Sequence, residues 1–250
     1  MAHKEYIKEV KDSSTAVIFT HGIMGTPDQF RDLLPLVPKE FSVYNLLLPG
    51  HGQTPKDFSD SSMNEWEQKL CKTVEYVESK HENIILVGHS MGTLLSIDAA
   101  LKHPDKVKLL FLQAVPLTPR VKPEAVSYAH AILFKDEKDY TYAQAQAKAS
   151  YSISVERDPK KYLGWPRRFE ELFRKAYVIT KKLPCITTRC IAFQSEEDEL
   201  VSGRAEKILR KHPNIITHTL SQSTHYMYSE DDKEFMLRVF REECEKFIEK

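Results

Sequence analysis

The sequence predicts an α/β protein in which a mostly parallel sheet is flanked by helices and carries one mainly helical insertion. From residue 15 to 115, short apolar runs rich in β-branched residues alternate with longer segments of helical spacing, as in βαβ units. The alternation lapses over 116–183, where aromatic and helix-forming residues dominate, and then resumes. We therefore expect a core domain over 1–115 and 184–250 and a helical cap over 116–183.

The apolar runs are the candidate strands of the sheet. They are apolar at consecutive positions, which is typical of parallel strands buried on both faces. The predicted strands are one short strand within 5–10, followed by 16–19, 43–48, 84–87, 109–112, 189–193 and 215–220. The predicted helices of the core are 62–80, 91–102, 202–211 and 232–248. A chain of 250 residues that is 41% hydrophobic can bury one core of this kind.

The predicted cap is rich in aromatic side chains. We expect most of them to pack the cap onto the body and a few to face a pocket. They are Tyr128, Phe134, Tyr140, Tyr142, Tyr151, Tyr162, Trp165, Phe169, Phe173 and Tyr177.

Composition narrows the function. Lys plus Arg number 36 and Asp plus Glu number 36, so the chain has no net charge with which to attract nucleic acid or anionic lipid. The four cysteines lack the paired spacing of a zinc site. No run approaches the ~20 apolar residues that cross a bilayer, and the N-terminus lacks a signal-peptide pattern. We expect a cytoplasmic protein without metal, cofactor or membrane span that acts on an uncharged small molecule.

The most specific motif is Gly88-His89-Ser90-Met91-Gly92, which fits G-x-S-x-G between a predicted strand and a predicted helix. Glycines at both flanking positions remove Cβ atoms that would clash in so sharp a turn. The serine there is held in strained backbone geometry and projects its hydroxyl above the sheet. Ser90 is therefore the predicted nucleophile.

A serine hydroxyl is a poor nucleophile at neutral pH, so a base must take its proton. Where this motif is used, an acid and then a histidine follow the serine along the chain, each from a loop at the carboxyl end of a strand. Of the later histidines, His130 falls in the cap, His212 ends a helix and His218 lies within a strand pattern. His225 follows the last predicted strand in a loop, and it is the predicted general base.

The acid is expected in the loop after the strand that precedes this last one. Asp198 is favoured, because Asp-x-x-Val is the arrangement expected when the acid points inward and the valine closes the next helix. Glu197 is the alternative. We predict that Glu196 and Glu199 are solvated loop residues.

Two backbone N–H groups are needed where negative charge builds on the carbonyl oxygen. One is expected from Met91, which follows the nucleophile, and the other from Ile23, in the loop after the second predicted strand. His21 begins this loop but precedes Ser90, so we expect it to fasten the loop by hydrogen bonds.

Three stretches together resemble the α/β-hydrolase superfamily, and the resemblance runs from about residue 13 to the C-terminus. His21–Gly25, Leu48–Gly52 and Gly88–Gly92 are similar to the bacterial carboxylesterase and monoacylglycerol lipase branch. The resemblance implies an α/β-hydrolase fold and hydrolysis of carboxylic esters through an acyl-enzyme. It also implies that Leu48–Gly52 is a structural turn, so His51 is given no role in catalysis.

The candidate residues match that family's site residue by residue. Ser90, Asp198 and His225 match the triad, and Ile23 and Met91 match the oxyanion positions. We expect a small-molecule ester with a short to medium acyl chain, monoacylglycerols included, dissolved in water more than held at a lipid interface.

Other substrates fit the same triad. A thioester, an aminoacyl amide or peptide, or a C–C bond is the alternative, and a catalytically silent binding scaffold is the alternative outside enzymes. Acidic cap residues that leave recognition of a substrate amine open are Glu124, Asp136, Glu137 and Asp139. The sequence assigns no oligomeric state.

Overall fold

The computed structural model describes residues 3–248. Within them, seven strands form one sheet in the order β1-β3-β2-β4-β5-β6-β7. The strands are β1 (Tyr6–Lys8), β2 (Thr15–Thr20), β3 (Ser42–Leu46), β4 (Asn83–His89), β5 (Val107–Gln113), β6 (Arg189–Ser195) and β7 (Ile215–Leu220). All neighbouring pairs are parallel except β1 with β3. The predicted α/β class with a mostly parallel sheet is confirmed.

Helices cover both faces of the sheet. They are α1 (Pro55–Asp60), α2 (Met63–Glu78), α3 (Met91–Lys102), α4 (Pro123–Phe134), α5 (Tyr142–Ser150), α6 (Trp165–Lys182), α7 (Arg204–Leu209) and α8 (Glu230–Glu245). Along β2, Ala16 and Ile18 pack into the core cluster that contains residues of α2, α3, α6 and α7, while Val17 and Phe19 pack into the cluster that contains residues of α8. Because successive side chains of a strand point to opposite faces, a strand buried on both faces is apolar throughout.

Most predicted elements are present with shifted ends, and α1 was not predicted. Helix α8 begins at Glu230, two residues before the predicted start, because the Ser229 hydroxyl accepts a hydrogen bond from Asp232 N (3.2 Å) and caps the helix. Strand β3 ends at Leu46 and not at the predicted Leu48, because Leu48 N donates to His21 Nε2 (3.1 Å). Residues 1–2 and 249–250 of the predicted core lie outside the described residues.

The segment between β5 and β6 contains α4, α5 and α6. Before α4, the chain runs along the loop that follows β6: Arg120 N donates to Leu200 O (2.7 Å) and Lys122 N donates to Glu199 O (2.9 Å). The inserted helices therefore begin directly beside the loop that contains the predicted acid. We assign residues 116–183 as the cap.

Candidate active site

The strand order brings two predicted site loops together. β3 and β4 lie on opposite sides of β2, so the chain direction across the sheet reverses there. Loops at the carboxyl ends of strands beside such a switch point leave a crevice between them. The loop after β2 contains Ile23, and the turn after β4 contains Ser90.

Ser90 lies in a tight turn between β4 and α3, with φ 50° and ψ −121°. A Cβ on Gly92 would lie 1.9 Å from Thr20 O, and one on Gly88 would lie 2.8 Å from Thr93 N. Both flanking glycines are therefore needed for the turn to pack against β2 and α3. Strain of this kind in a non-glycine residue is concentrated at functional sites.

The structure brings Asp198 and His225 into direct contact. His225 Nδ1 donates to Asp198 Oδ2 (2.9 Å), and the two side chains are 4% and 3% exposed. Asp198 Oδ1 also accepts from Leu200 N (2.7 Å) and Val201 N (2.8 Å), which explains the Asp-x-x-Val spacing. Because Nδ1 carries a proton toward Asp198, Nε2 is the ring nitrogen left to act as a base.

This contact sets the protonation of both groups. Burial alone would lower the pKa of His225, but the Asp198 carboxylate overrides it and holds that pKa above the ordinary value. Burial alone would raise the pKa of Asp198, but the imidazole and the two backbone N–H groups hold it below the ordinary value. Asp198 is therefore an anion at neutral pH and stabilises a proton on His225.

Ser90 and His225 line one cavity. The rings of His89 and His225 lie 5.1 Å apart, centroid to centroid, so the base is close to the turn that contains the serine. Among the hydrogen bonds of residues 3–248, none joins Ser90 Oγ to His225 Nε2. The acid and the base thus meet by direct contact, and the serine and the base meet by facing a common cavity.

The acidic loop after β6 differs from its prediction at one residue. Glu196 and Glu197 are exposed, so the alternative acid Glu197 is far less buried than Asp198. Glu199 was predicted to be solvated, and this was wrong: it is 4% exposed, and its Oε2 accepts from His225 N (2.8 Å). The carboxylate takes the place of water as the acceptor for this buried N–H group. No sequence pattern marks this pairing, which depends on how two distant loops meet.

The loop after β2 leaves one amide unbonded at the expected place. Gly22 N donates to Gln29 Oε1 (3.0 Å) and Met24 N donates to His51 Nε2 (3.0 Å). Between them, Ile23 N has no acceptor within the described part of the chain. Met91 is the first residue of α3, where helix N–H groups lack intrahelical acceptors. Both predicted oxyanion amides are therefore available to a ligand.

Two buried histidines hold this loop in place. His21 Nδ1 donates to Gly22 O (2.8 Å) while its Nε2 accepts from Leu48 N, and the His51 ring lies 4.8 Å from the His21 ring. Burial lowers the pKa of His21 to about 4, so it is neutral at pH 7. His21 fastens the loop, as its position predicts, and His51 joins it.

The cavity above Ser90 is apolar and has a volume of about 470 Å³. On α6, Trp165, Phe169 and Phe173 are spaced by four residues and therefore share the face that lines it. Its other walls come from Ile23 and Met24, from α4, and from the chain after α5. Side chains of α4 and the chain around it in this lining are Val121, Ala125, Val126, Ala129, Ile132, Leu133, Tyr151, Ile153 and Val155.

A second chamber, of about 270 Å³, lies on the other side of the same histidine. It shares His89, His225 and Tyr226 with the apolar cavity. Its remaining lining is mostly polar and includes Asp28, Arg31, Asp32, Gln113, Tyr142, Gln146, Glu230 and Lys233. The imidazole of His225 therefore stands between an apolar and a polar compartment.

Two further features concern the same described residues. Within 3–248, no group of three or more His, Cys, Asp or Glu side chains is arranged to hold a metal ion. None of the helices in this range combines the length and the apolar character needed to cross a bilayer.

Comparison with known proteins identifies the family. The model of the α/β-hydrolase fold family matches residues 15–229, and the chain belongs to that family. Among solved structures, the monoacylglycerol lipase of Paleococcus ferrophilus superposes with a TM-score of 0.70 at 17% identity, covering 99% of this chain and 100% of that one. At this identity the likeness concerns the fold.

Curated relatives are hydrolases. The 2-(acetamidomethylene)succinate hydrolase of Mesorhizobium japonicum is 29% identical over 121 residues, which are 48% of this chain and 42% of that protein. The uncharacterized hydrolase YugF of Bacillus subtilis is 25% identical over 235 residues, which are 86% of this chain and 84% of that protein. The family and these neighbours together support a hydrolase, and ester hydrolysis within that class.

Proposed function

We propose that this chain is a serine hydrolase that cleaves carboxylic esters through an acyl-enzyme. Ser90 is the nucleophile, His225 the general base and Asp198 the acid that orients the histidine. One observation carries the proposal: a buried Asp198–His225 pair opens onto the apolar cavity that contains a strained serine at the end of β4. An imidazole oriented by a carboxylate is the usual means of activating a serine hydroxyl.

In the proposed reaction, Ser90 Oγ attacks the ester carbonyl while His225 Nε2 takes its proton. The negative oxygen is held by the N–H groups of Ile23 and Met91, and the C–O bond to the alcohol then breaks as His225 returns the proton to the leaving oxygen. Water repeats these steps on the acyl-enzyme and releases the acid. The Ser90–His225 hydrogen bond forms in the substrate complex, where catalytic contacts tighten.

The two compartments suggest how a substrate lies. The apolar cavity suits the acyl chain, and its volume falls in the range of small-molecule pockets. The polar chamber suits the alcohol, because the His225 that protonates the leaving oxygen borders it. We propose short to medium acyl chains joined to a polar alcohol, and monoacylglycerols of that length belong to this class.

The test compares two serines of one cavity. Ser90→Ala should lower kcat on a medium-chain nitrophenyl ester by about a millionfold, because no other group replaces the nucleophile. Ser150→Ala is the matched control, since Ser150 lines the same cavity but bonds only Gln146 O, and it should keep kcat within a few-fold. Wild-type turnover by Ser90→Ala would remove Ser90 from the reaction.

The other substrates on the same triad are thioesters, amides or peptides, and C–C bonds, and parallel assays on one acyl group would rank them. An amidase that reads a substrate amine gains no support from the acidic cap residues considered above. None of Glu124, Asp136, Glu137 and Asp139 lines either compartment in the described structure. A silent scaffold would show no turnover on any of these substrates.

A further inference from the structure

The balanced total charge hides an unequal distribution. Residues 116–183 contain 14 Lys and Arg but 8 Asp and Glu, whereas the rest of the chain contains 22 and 28. The cap segment therefore has a formal charge of about +6 and the body about −6. A charged surface that approaches this protein meets opposite fields on its two sides.

The same segment also exposes most of the large apolar side chains. Of 14 such side chains exposed among residues 3–248, nine belong to 116–183, which is about a quarter of the chain. These nine are Val121, Val126, Leu133, Phe134, Tyr142, Val155, Leu163, Phe173 and Tyr177. The prediction that most cap aromatics pack the cap onto the body fails for Phe134, Tyr142, Phe173 and Tyr177.

The exposed apolar side chains surround the entrance of the cavity that contains Ser90. Five of the nine also line that cavity: Val121, Val126, Leu133, Val155 and Phe173. Apolar surface therefore runs without a break from the outside of the cap to the candidate nucleophile. A molecule that touches this surface can pass an apolar chain inward without exposing it to water.

Cations stand beside this apolar surface. Arg120 and Lys122 precede α4, Lys135 follows Phe134 at its other end, and the Lys181 ammonium lies 4.3 Å from the centre of the Tyr177 ring. No carboxylate of the described residues forms an ion pair with Arg120, Lys122 or Lys135. Basic and apolar residues on one helical face are the pattern of proteins that lie on a membrane surface.

We propose that this face of the cap, the docking face, binds the surface of an anionic lipid bilayer with the cavity entrance turned toward the lipid. Its cations would meet anionic headgroups, and its apolar side chains would enter the boundary with the acyl chains. An acidic protein would answer the charge but needs fixed partners for the scattered apolar side chains, whereas a lipid surface accommodates them without a defined shape. Binding of this kind does not require the proposed chemistry, so Ser90→Ala should bind equally well.

The experiment is sedimentation of the full chain with vesicles, once with pure phosphatidylcholine and once with phosphatidylcholine mixed with phosphatidylglycerol. We expect binding to the mixed vesicles at low salt, weakened by high salt because the attraction is electrostatic. Phe134→Ser should weaken binding about tenfold through lost apolar burial. Lys135→Glu should weaken it on the order of tenfold by reversing one charge near the headgroups.

Matched controls lie on the body. Tyr6 is 49% exposed on β1 and Lys11 is exposed in the next turn, so Tyr6→Ser and Lys11→Glu should leave vesicle binding unchanged. All four sites are exposed, and a thermal melt checks that each variant folds. The proposal fails if the wild type ignores the mixed vesicles at low salt, or if the body variants lose as much binding as the cap variants.

Two other occupants of the docking face would also overturn the proposal. Retention on polyglutamate that Phe134→Ser leaves intact, without vesicle binding, would indicate an acidic protein partner. A dimer in sedimentation equilibrium that Phe134→Ser dissolves, again without vesicle binding, would indicate a second copy of the chain. Turnover of a water-soluble ester is measured separately, so loss of vesicle binding and loss of hydrolysis are distinguishable.

Discussion

Helix α6 and the pair α4–α5 belong to the same inserted segment, but they are attached to the body by different chemistry. The polar side of α6 is buried in charge-assisted contacts. Arg168 donates to Ser59 O (2.9 Å), Ser61 O and Glu171 Oε1 (2.8 Å). Lys175 pairs with Asp98 of α3 at 3.1 Å. These bonds fix the orientation of the aromatic wall that α6 presents to the cavity.

Helices α4 and α5 bury little and are held mainly at their ends. The buried residues of α4 are Ala125 and Ala131, both small. Its start is tied by Lys122 N to Glu199 O, and the end of α5 by a 2.6 Å hydrogen bond between the Tyr151 and Tyr226 hydroxyls. Segments with few buried apolar contacts open at low free-energy cost.

The comparison teaches that the cavity has one fixed wall and one adjustable wall. α6 holds its aromatic side chains in a set position above Ser90, whereas α4 and α5 can shift to admit a chain. The ties of the adjustable wall end at residues beside the candidate triad, since Glu199 follows Asp198 and Tyr226 follows His225. Movement of α4 and α5 is therefore felt at the histidine.

The largest expected effect is the loss of the α6 anchor. Arg168→Met should lower the free energy of unfolding by about 3 kcal/mol, because it leaves buried carbonyls and the half-buried Glu171 without their partner. Arg167→Met is the matched control: its side chain is 77% exposed against 6% for Arg168, so the cost should be below about 0.5 kcal/mol. Urea denaturation measures both, and equal effects would contradict a buried anchor.

The ion pairs of Asp98 should make the anchor sensitive to acid. Burial opposes the charge, but Lys102, Lys175 and Lys182 hold the pKa of Asp98 below its ordinary value of 3.8. Since the folded pKa is depressed, this stabilisation is present above pH 3.8 and is lost as the pH falls toward the folded pKa.

Asp98→Asn should therefore cost about 2 kcal/mol at pH 7, with a smaller difference from wild type below about pH 4. Asp105→Asn, at an exposed position of the body, should cost little at either pH. Denaturation curves at several pH values decide the matter. A difference that grows on acidification has the wrong sign for this account.

The tie at the end of α5 should be weaker. Tyr151→Phe leaves the buried Tyr226 hydroxyl without its partner and should cost about 1 kcal/mol. We expect faster hydrogen exchange in α4 and α5, with α6 unchanged. Tyr142→Phe, on the exposed side of α5, is the control and should alter neither quantity. Equal acceleration in α6 would mean that the cap moves as one body.

The smallest effect is expected at Glu199. Its negative charge helps to raise the pKa of His225, so Glu199→Gln should lower that pKa while keeping an acceptor for His225 N. A base works in its neutral form, so the acid limb of kcat/KM should move to lower pH. Glu197→Gln, exposed and two residues away, should leave the limb in place. A limb that moves to higher pH would contradict the assigned contact.

The sheet and the candidate triad were readable from the sequence because each has a local signature. Consecutive apolar residues marked the strands, G-x-S-x-G marked the turn, and the position of His225 after the last strand marked the base. The burial of Glu199 depends on two loops that meet only in the folded chain. The exposed aromatics of the cap were misjudged because composition does not tell an inward-facing Phe from an outward-facing one. The cap's charge was present in the sequence but was lost in the total.

The central claim is that Asp198 and His225 activate Ser90. A fluorophosphonate probe tests it most directly, because it forms a stable adduct with an activated serine and with few other groups. We predict one adduct per chain, located on Ser90 by peptide mass spectrometry, absent in Ser90→Ala and slowed by orders of magnitude in His225→Ala. A wild-type chain that forms no adduct, or one labelled at another serine, would contradict the account.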